Sequence, residues 1–229
     1  MNRGWFITIE GGEGAGKTSL FEKLAHKLQE AGRSVMLTRE PGGIPIAEKI
    51  RSVILDREHV EMDARTEALL YAASRRQHLV EKVIPALQRG EVVLCDRFVD
   101  SSLAYQGHAR GIGMDEIWSI NHFAINNVMP DLTIYMDVSP EVGLRRIQES
   151  AEREINRLDL EKMTFHERVR EGYRILLERY PERIVEVNAE RSKEEVFHEV
   201  LRLLEARLEG ITDLTSKSFT INNLKTGPE

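Results

Sequence analysis

Eight consecutive residues near the N-terminus have the types and spacing that bind a phosphate chain. They are Gly11-Gly12-Glu13-Gly14-Ala15-Gly16-Lys17-Thr18. Glycines allow successive backbone N–H groups to converge on phosphate oxygens, and the N-terminus of a following helix adds partial positive charge. In such a P-loop, Lys17 reaches the β- and γ-phosphates of a nucleotide and Thr18 binds Mg²⁺. We predict that these eight residues and Ser19 bind a nucleotide.

A second set of chemically suited residues follows two later apolar runs. Thr38-Arg39-Glu40-Pro41-Gly42-Gly43 follows one run, with Arg51 further on, and Asp96-Arg97-Phe98 follows the other. Segments that leave the carboxyl ends of parallel strands line one crevice, so we expect Arg39, Arg97 and the P-loop to face a common space. Cationic groups gathered around phosphates are what phosphoryl transfer needs.

Two acidic residues beside these segments are candidates for the metal side of the site. Asp96 stands at a predicted strand end, where P-loop enzymes hold Mg²⁺ directly or through water, although it could also simply pair with arginines. Glu10, just before the P-loop, is a weaker metal candidate and could equally be a local hydrogen-bond acceptor.

The elements that must position these residues alternate between short apolar runs and helical patterns, which predicts a parallel sheet covered by helices. We predict a doubly wound α/β fold with five parallel strands at 5–9, 34–38, 91–95, 132–137 and 184–187. Residues 1–209 form one predicted domain, with a short mobile lid at 149–159. Residues 210–229 are predicted to be a polar, flexible extension.

Composition narrows the class of protein. The 229 residues are 41% hydrophobic and 31% charged, with a net charge of -6, so binding of polymeric nucleic acid is not expected. We find no run of apolar residues long enough for a membrane span, and the single cysteine, Cys95, lies in a predicted buried strand. We therefore expect a cytoplasmic protein that does not bind membranes.

A P-loop predicts nucleotide binding but not a reaction. A GTP-dependent switch would normally carry an Asn-Lys-x-Asp motif and an Asp-x-x-Gly motif, and neither string occurs. Adenylate kinases usually have Gly-Lys-Gly-Thr in the P-loop, and neither they nor guanylate kinases would carry Tyr-Gln-Gly. Another nucleoside monophosphate kinase nevertheless remains an alternative at this point.

From about Phe6 to Leu208 the sequence resembles bacterial thymidylate kinases, within the nucleoside monophosphate kinase group. The strings that carry the resemblance are Thr-Arg-Glu-Pro-Gly-Gly, Asp-Arg-Phe, Ser-Leu-Ala-Tyr-Gln-Gly and Asn-Arg-Leu-Asp. The resemblance implies transfer of the γ-phosphoryl group of ATP to dTMP with Mg²⁺, for dTTP synthesis, in a homodimer built from helices. It also implies a phosphate site for dTMP formed by Arg39, Arg51 and Arg97, with Glu40 and Pro41 beside it.

The resemblance further implies a site for the nucleoside of dTMP. Tyr71 would stack on thymine, Arg75 would donate to its O4, Gln106 would read another edge, and Ser102 would lie nearby. Tyr71 and Arg75 are four residues apart and share one helix face, but they could also be a core residue and a solvated one. Glu13 would approach the 3′-hydroxyl of the sugar, and Tyr105 would crowd the 2′ position, unless it is only a buried loop tyrosine.

The remaining catalytic candidate lies in the predicted lid. Between its key glycines the P-loop has no cationic side chain, and the bacterial thymidylate kinases that this chain resembles supply an arginine from the lid. Arg157 stands in the matching string Asn156-Arg157-Leu158-Asp159, and Arg153 is a second candidate. Lys17, Arg97, Arg157 and Glu13 are the predicted catalytic residues.

Overall fold

The computed structural model of the chain describes residues 3–149, 157–208, 210–212, 214 and 215. Within them, five parallel strands form one sheet in the order β2-β3-β1-β4-β5. The strands are β1 (Phe6–Gly11), β2 (Val35–Arg39), β3 (Val92–Asp96), β4 (Leu132–Asp137) and β5 (Ile184–Asn188). The predicted five-stranded parallel sheet is confirmed, and each predicted strand end lies within about two residues of the observed one.

Helices connect the strands. They are α1 (Lys17–Glu30), α2 (Pro45–Leu55), α3 (Ala64–His78), α4 (Ile84–Gln88), α5 (Val99–Ser102), α6 (Met114–Ile125), α7 (Pro140–Glu149), α8 (Met163–Arg179) and α9 (Lys193–Arg207). A π-helical turn at Leu79–Val83 joins α3 to α4, and a π-helical segment at Leu103–Ala109 continues α5. None of the helices in the described part of the chain is both long and apolar enough to cross a lipid bilayer.

Both faces of the sheet are covered, as the apolar strand sequences require. Ile7 and Ile9 of β1 pack with apolar residues of α1 and α9 in one core cluster. Phe6, which alternates with them along the strand, packs in another cluster with Leu79 and Val83. A parallel sheet buried on both sides reads as continuous apolar runs, which is why the strands could be found in the sequence.

The strand register brings the chemically suited residues to one edge of the sheet. Asp96 at the end of β3 pairs with Ile9 of β1 and with Arg39 of β2. Gly11, where the P-loop starts, is at the end of β1. The loops that leave these three neighbouring strands therefore start side by side.

The packed core extends beyond the predicted domain boundary at residue 209. Ile211 and Leu214 are almost completely buried in the cluster formed with α1 and α9, and the backbone N–H of Thr215 donates to Glu205 at 2.9 Å. The first residues of the predicted flexible extension thus contribute to the core. Residues 150–156 of the predicted lid and 216–229 of the predicted extension lie outside the described residues.

Candidate active site

The P-loop connects β1 to α1 in a conformation that depends on glycine. Gly16 precedes α1 with φ of 85°, and Gly14 has φ of 72°, both in the left-handed region. A Cβ atom on Gly14 would lie 2.0 Å from the backbone carbonyl oxygen of Gly143 in α7. The loop therefore packs directly against α7. Within the described residues no side-chain hydrogen bond caps the N-terminus of α1, which suits the binding of an anion there.

A cavity of about 880 Å³ lies above the P-loop at the carboxyl edge of the sheet. It brings together most of the predicted site residues: Glu13, Gly14, Ala15, Gly16, Lys17, Thr18, Ser19, Arg39, Glu40, Pro41, Arg51, Tyr71, Arg75, Asp96, Arg97, Ser102, Tyr105 and Gln106. Of the predicted residues that the structure describes, Glu10, Gly11, Gly12 and Arg157 do not line it. Gly11 and Gly12 are the first two residues of the P-loop, at and just after the end of β1, and Arg157 is buried in another part of the molecule.

Lys17 is held inside the P-loop by the backbone. Its Nζ donates to the carbonyl oxygens of Gly11, at 3.1 Å, and Gly12, at 3.0 Å. Burial, with a smaller contribution from the positive charge of Arg97, lowers the pKa of Lys17 to about 8. The ammonium group is thus desolvated and close to where the phosphates of a nucleotide would lie.

Arg97 lies at the centre of a cluster of polar side chains, formed with Glu13, Ser101 and Tyr105, next to the P-loop. Its Nη2 donates to Oε1 of Glu13 at 2.6 Å and its Nη1 to Oγ of Ser101 at 3.2 Å. The hydroxyl of Tyr105 also donates to Glu13, at 3.1 Å, and the guanidinium carbon of Arg97 lies 5.0 Å from the centre of that ring. Arg97 has a φ of 67°, a strained backbone conformation of the kind that clusters at functional sites.

Glu10 lies behind Arg97 and Ser101 and does not line the cavity. Its buried carboxylate accepts hydrogen bonds from the backbone N–H of Phe98 at 2.6 Å, from Ser101 at 2.5 Å and from Tyr173 at 2.9 Å. Burial, followed by the charge of Asp100, raises the pKa of Glu10 to about 7. Of the two interpretations of Glu10, the structure favours the local hydrogen-bond acceptor.

The residues predicted for magnesium fit that ion. Asp96 has a buried Oδ1 that finds no hydrogen-bond partner in the described part of the chain, and Thr18, the last residue of the P-loop, is exposed at the cavity wall. Among the same residues, no cluster of three or more His, Cys, Asp or Glu side chains could hold a metal alone. Mg²⁺ is typically held by one or two protein groups together with substrate phosphates, which suits this arrangement.

Arg39 and Arg51 lie at the end of the cavity away from α7. Nη2 of Arg39 donates to Glu48 at 2.9 Å, and Nη1 of Arg51 donates to the carbonyl oxygen of Pro41 at 2.9 Å. Burial and the nearby charge of Arg39 lower the pKa of Arg51. An anion between the two guanidinium groups would relieve their repulsion, so this part of the cavity favours a phosphate.

Arg75 is nearly inaccessible and is fixed by four neighbours in the wall of the cavity. Its Nε donates to Glu40 at 2.7 Å, its Nη1 to Asn121, and its Nη2 to the carbonyl oxygen of Phe98 and to Oγ of Ser102, both at 3.1 Å. Arg75 is therefore not the solvated helix residue of the alternative interpretation. The carboxylate of Glu40 thus positions Arg75 at the wall of the cavity.

Arg157 is not next to the P-loop in this structure. It begins the 3₁₀ turn Arg157–Leu160, is 7% exposed, and donates from Nε to the carbonyl oxygen of Ile54 at 3.0 Å. Its Nη2 forms an ion pair with the buried carboxylate of Glu67 in α3. Arg153, the other lid candidate, lies outside the described residues.

Sequence reasoning missed residues at both ends of the cavity. At one end the lining comes from the last turns of α7 and the segment after β5: Arg146, Ile147, Glu149, Ala189, Arg191, Ser192 and Lys193. The rule that strand carboxyl ends line the crevice, applied to β5, could have found several of them. At the other end, Glu67 bonds Gln106 and Arg157, and its spacing of four residues before Tyr71 was an available signal.

Comparisons with known proteins agree with this geometry. Residues 9–200 match the family model described as Thymidylate kinase. The thymidylate kinase of Geobacillus thermodenitrificans is 60% identical over 207 residues, covering 90% of this chain and 92% of that protein, and that of Halalkalibacterium halodurans is 61% identical over 208 residues, covering 91% and 99%. The crystal structure of thymidylate kinase from Ehrlichia chaffeensis superposes with a TM-score of 0.72 at 33% identity, covering 89% of this chain and 99% of that one.

Proposed function

This chain belongs to the thymidylate kinase family, and we propose that it transfers the γ-phosphoryl group of ATP to dTMP, giving ADP and dTDP, with Mg²⁺ bound. The observation that carries this proposal is the lining of the cavity, in which the P-loop is joined by Arg39, Arg51 and Arg97 and also by residues of α7 and of the segment after β5. Two nucleotides can then meet with their phosphates over Lys17. The family prediction is confirmed, and neither another monophosphate kinase nor a GTP-dependent switch is favoured.

The donor nucleotide would lie with its phosphates on the P-loop. Lys17 and the N-terminus of α1 would bind the β- and γ-phosphates, and the base would extend towards Arg146 and the segment after β5. Thr18 and Asp96 would hold Mg²⁺ against the same phosphates. When bound, Mg²⁺ neutralises charge on the transferring group and orients it.

The acceptor nucleotide would bind at the opposite end. Arg39, Arg51 and Arg97 would hold its phosphate, one oxygen of which attacks the γ-phosphorus of ATP. As the new P–O bond forms, the bond from the γ-phosphorus to the β,γ-bridging oxygen breaks and ADP leaves. Because charge is spread over the transferring oxygens, fixed cations at this point supply most of the catalysis.

The sugar and the base of dTMP would extend away from these arginines. Glu13 would approach the 3′-hydroxyl, and Tyr105, fixed by its hydrogen bond to Glu13, would fill the space at the 2′ position. Tyr71 would stack on thymine, and Arg75, Ser102 and Gln106 would form the polar wall around its edge. The burial of Arg75 and its four hydrogen bonds to neighbouring groups support a rigid pocket rather than an adaptable one.

Arg157 remains our candidate for a lid arginine that stabilises the transferring phosphoryl group. To reach the phosphates, its guanidinium would have to leave Glu67 and Ile54, so catalysis by Arg157 would include a movement of the lid. An arginine delivered in this way would add positive charge at the reacting group and exclude water.

We also propose that the enzyme is a homodimer formed through α2, α3 and α6. Large apolar side chains are exposed on each of these helices: Ile46 and Val53 on α2, Leu69 on α3 and Phe123 on α6, the last 89% exposed. Exposed apolar patches of this kind mark interaction surfaces.

We further propose a cytoplasmic location, which is supported by the free, buried thiol of Cys95 because such a thiol fits a reducing compartment.

The proposed reaction can be tested by a coupled assay of ADP production. The purified chain is incubated with ATP, Mg²⁺ and one of dTMP, dUMP, dCMP, dGMP or AMP. We expect dTMP to have the highest kcat/KM and turnover to require Mg²⁺. A higher kcat/KM for AMP or dGMP, or hydrolysis of GTP without any acceptor, would contradict the proposal.

A further inference from the structure

Glu67 is a buried carboxylate at the acceptor-base end of the cavity. It lies in α3, four residues before Tyr71 and eight before Arg75, so the three side chains follow one another along a single helix face. Glu67 is 1% exposed, whereas an unpaired carboxylate is rarely found at such depth. A carboxylate buried beside the predicted base pocket therefore requires hydrogen-bond donors or cations around it, and those partners indicate its role.

The partners of Glu67 come from two further segments of the chain. Oε1 accepts a hydrogen bond from Nε2 of Gln106 at 2.8 Å. Arg110 approaches both carboxylate oxygens at 3.4 Å, and Arg157 forms an ion pair with Oε2. Burial opposes ionisation, but the charge of Arg110 and the hydrogen bonds of Arg157 and Gln106 lower the pKa of Glu67. Glu67 is therefore ionised and can only accept hydrogen bonds.

This state of Glu67 decides which way the amide of Gln106 faces. A side-chain amide has a donating NH₂ and an accepting oxygen, and the NH₂ must face an ionised carboxylate. If the amide turned over, Oε1 of Gln106 would lie against the negative Glu67. Gln106 is 1% exposed and lines the cavity, and because its Nε2 donates to Glu67, its Oε1 is directed away from that carboxylate.

We propose that Glu67 is a specificity-determining positioning residue, which fixes Gln106 so that its amide oxygen accepts a hydrogen bond from N3–H of the acceptor base. Thymine and uracil have a donor at N3, whereas cytosine has an acceptor there. Glu67 thus selects against cytosine without touching the base. The inference rests on the proposed function, since it requires that a pyrimidine monophosphate binds at this end of the cavity.

The variant Glu67→Gln tests the inference because it keeps the shape of the side chain and replaces the carboxylate, which can only accept hydrogen bonds, by an amide. The new amide at position 67 can donate to Oε1 of Gln106, so the amide of Gln106 can turn and present NH₂ to the base. We expect kcat/KM for dTMP to fall and the dCMP-to-dTMP ratio of kcat/KM to rise by about tenfold or more. Glu67→Gln also weakens the ion pair with Arg157, but any resulting change in turnover affects dTMP and dCMP equally and so cancels in the ratio of their kcat/KM values.

Two further variants make the test specific. Glu161→Gln removes the other carboxylate that pairs with Arg110, at 2.6 Å, and we expect an unchanged substrate ratio because Glu161 has no bond to Gln106. The exchange Glu67→Gln with Gln106→Glu restores an acceptor facing the base. We expect it to return the substrate ratio to within about threefold of the wild type.

Thermal melting establishes that each variant is folded. A folded Glu67→Gln variant with a substrate ratio within twofold of the wild type would overturn the inference, as would an exchange variant that keeps the altered ratio. If Glu67→Gln alone does not fold, the exchange variant decides: a wild-type ratio supports the inference and a raised one overturns it. Failure of the wild type to phosphorylate dTMP would instead overturn the proposed function.

Discussion

Nη2 of Arg97 donates to Oε1 of Glu13 at 2.6 Å, and this ion pair connects the P-loop to the end of β3. The hydroxyl of Tyr105 donates to the same oxygen at 3.1 Å. One carboxylate thus aligns the arginine proposed to hold the acceptor phosphate and the tyrosine proposed to face the sugar.

The variant Glu13→Gln should therefore impair use of dTMP more than use of ATP. The amide oxygen can still accept a hydrogen bond, but the charge that pairs with Arg97 is lost. A hydrogen bond to a charged group contributes about 1.5–3 kcal/mol, so we expect kcat/KM for dTMP to fall on the order of tenfold or more. KM for ATP should change by less than about threefold. Steady-state kinetics with each substrate varied in turn would check this, and an equal effect on both substrates would contradict it.

Replacing Lys17 by alanine should remove nearly all phosphoryl transfer while the fold is retained. In the proposed mechanism the side chain follows the migrating phosphoryl group, so its loss would remove stabilisation of the transition state. We expect kcat to fall by about 10³-fold or more. Near-normal turnover at saturating ATP, in a variant with a normal melting curve, would contradict the assignment.

The pKa of about 8 for Lys17 also predicts how activity depends on pH. The ammonium is charged below this pH and loses its charge above it, so kcat/KM for ATP, which reports the free enzyme, should decline as pH rises through about 8. Bound phosphates raise the pKa of Lys17, so kcat should decline only at higher pH. Profiles from pH 6.5 to 10 test this. A Lys17→Arg control stays charged and should show no decline near pH 8.

The variant Arg157→Ala distinguishes two roles for this residue. If Arg157 leaves Glu67 to stabilise the transferring group, we expect kcat to fall by as much as about 10³-fold, with smaller changes in both KM values. A rise in KM for dTMP at unchanged kcat would show that Arg157 acts only where it lies in this structure, beside the base pocket. Initial rates with both substrates varied separate the outcomes.

Gly143→Ala should weaken the enzyme even though alanine favours a helix. A Cβ atom on Gly143 would lie 2.2 Å from the carbonyl oxygen of Glu13, so either α7 or the P-loop has to move. Such overpacking costs about 1–3 kcal/mol, which for a chain of this size lowers Tm by several degrees. We also expect a higher KM for ATP. Gln148→Ala, an exposed position on the same helix, is the control and should leave both values unchanged.

Phe123→Lys should dissociate the proposed dimer. A charge placed at this 89% exposed position on α6 would have to be desolvated in an apolar interface. Light scattering after size-exclusion chromatography should then give the mass of one chain instead of two. Val60→Lys, at a 75% exposed apolar position outside α2, α3 and α6, is the control and should remain dimeric. A dimeric Phe123→Lys variant would place the interface elsewhere.

The sequence alone determined those parts of the protein whose physical basis is local. Gly11 to Thr18 are proposed to bind phosphate largely through backbone N–H groups, and the conformation of that backbone depends on the glycines in the same eight residues. The strands could be found because burial on both faces requires continuous apolar runs. The rule that strand ends share a crevice then brought Arg39 and Arg97 to the P-loop, as the structure has them.

The tertiary structure alone decided which partners the buried polar groups have. Gln106 and Arg157 both bond Glu67, from 39 and 90 residues away in the chain, and Ile211 and Leu214 complete a core that the polar composition of the last residues concealed. A buried carboxylate is stable only beside donors, but nothing in the local sequence states which donors packing will bring to it. That choice depends on the positions of α3, the segment after α5 and the turn at Arg157 relative to one another, which only the folded chain fixes.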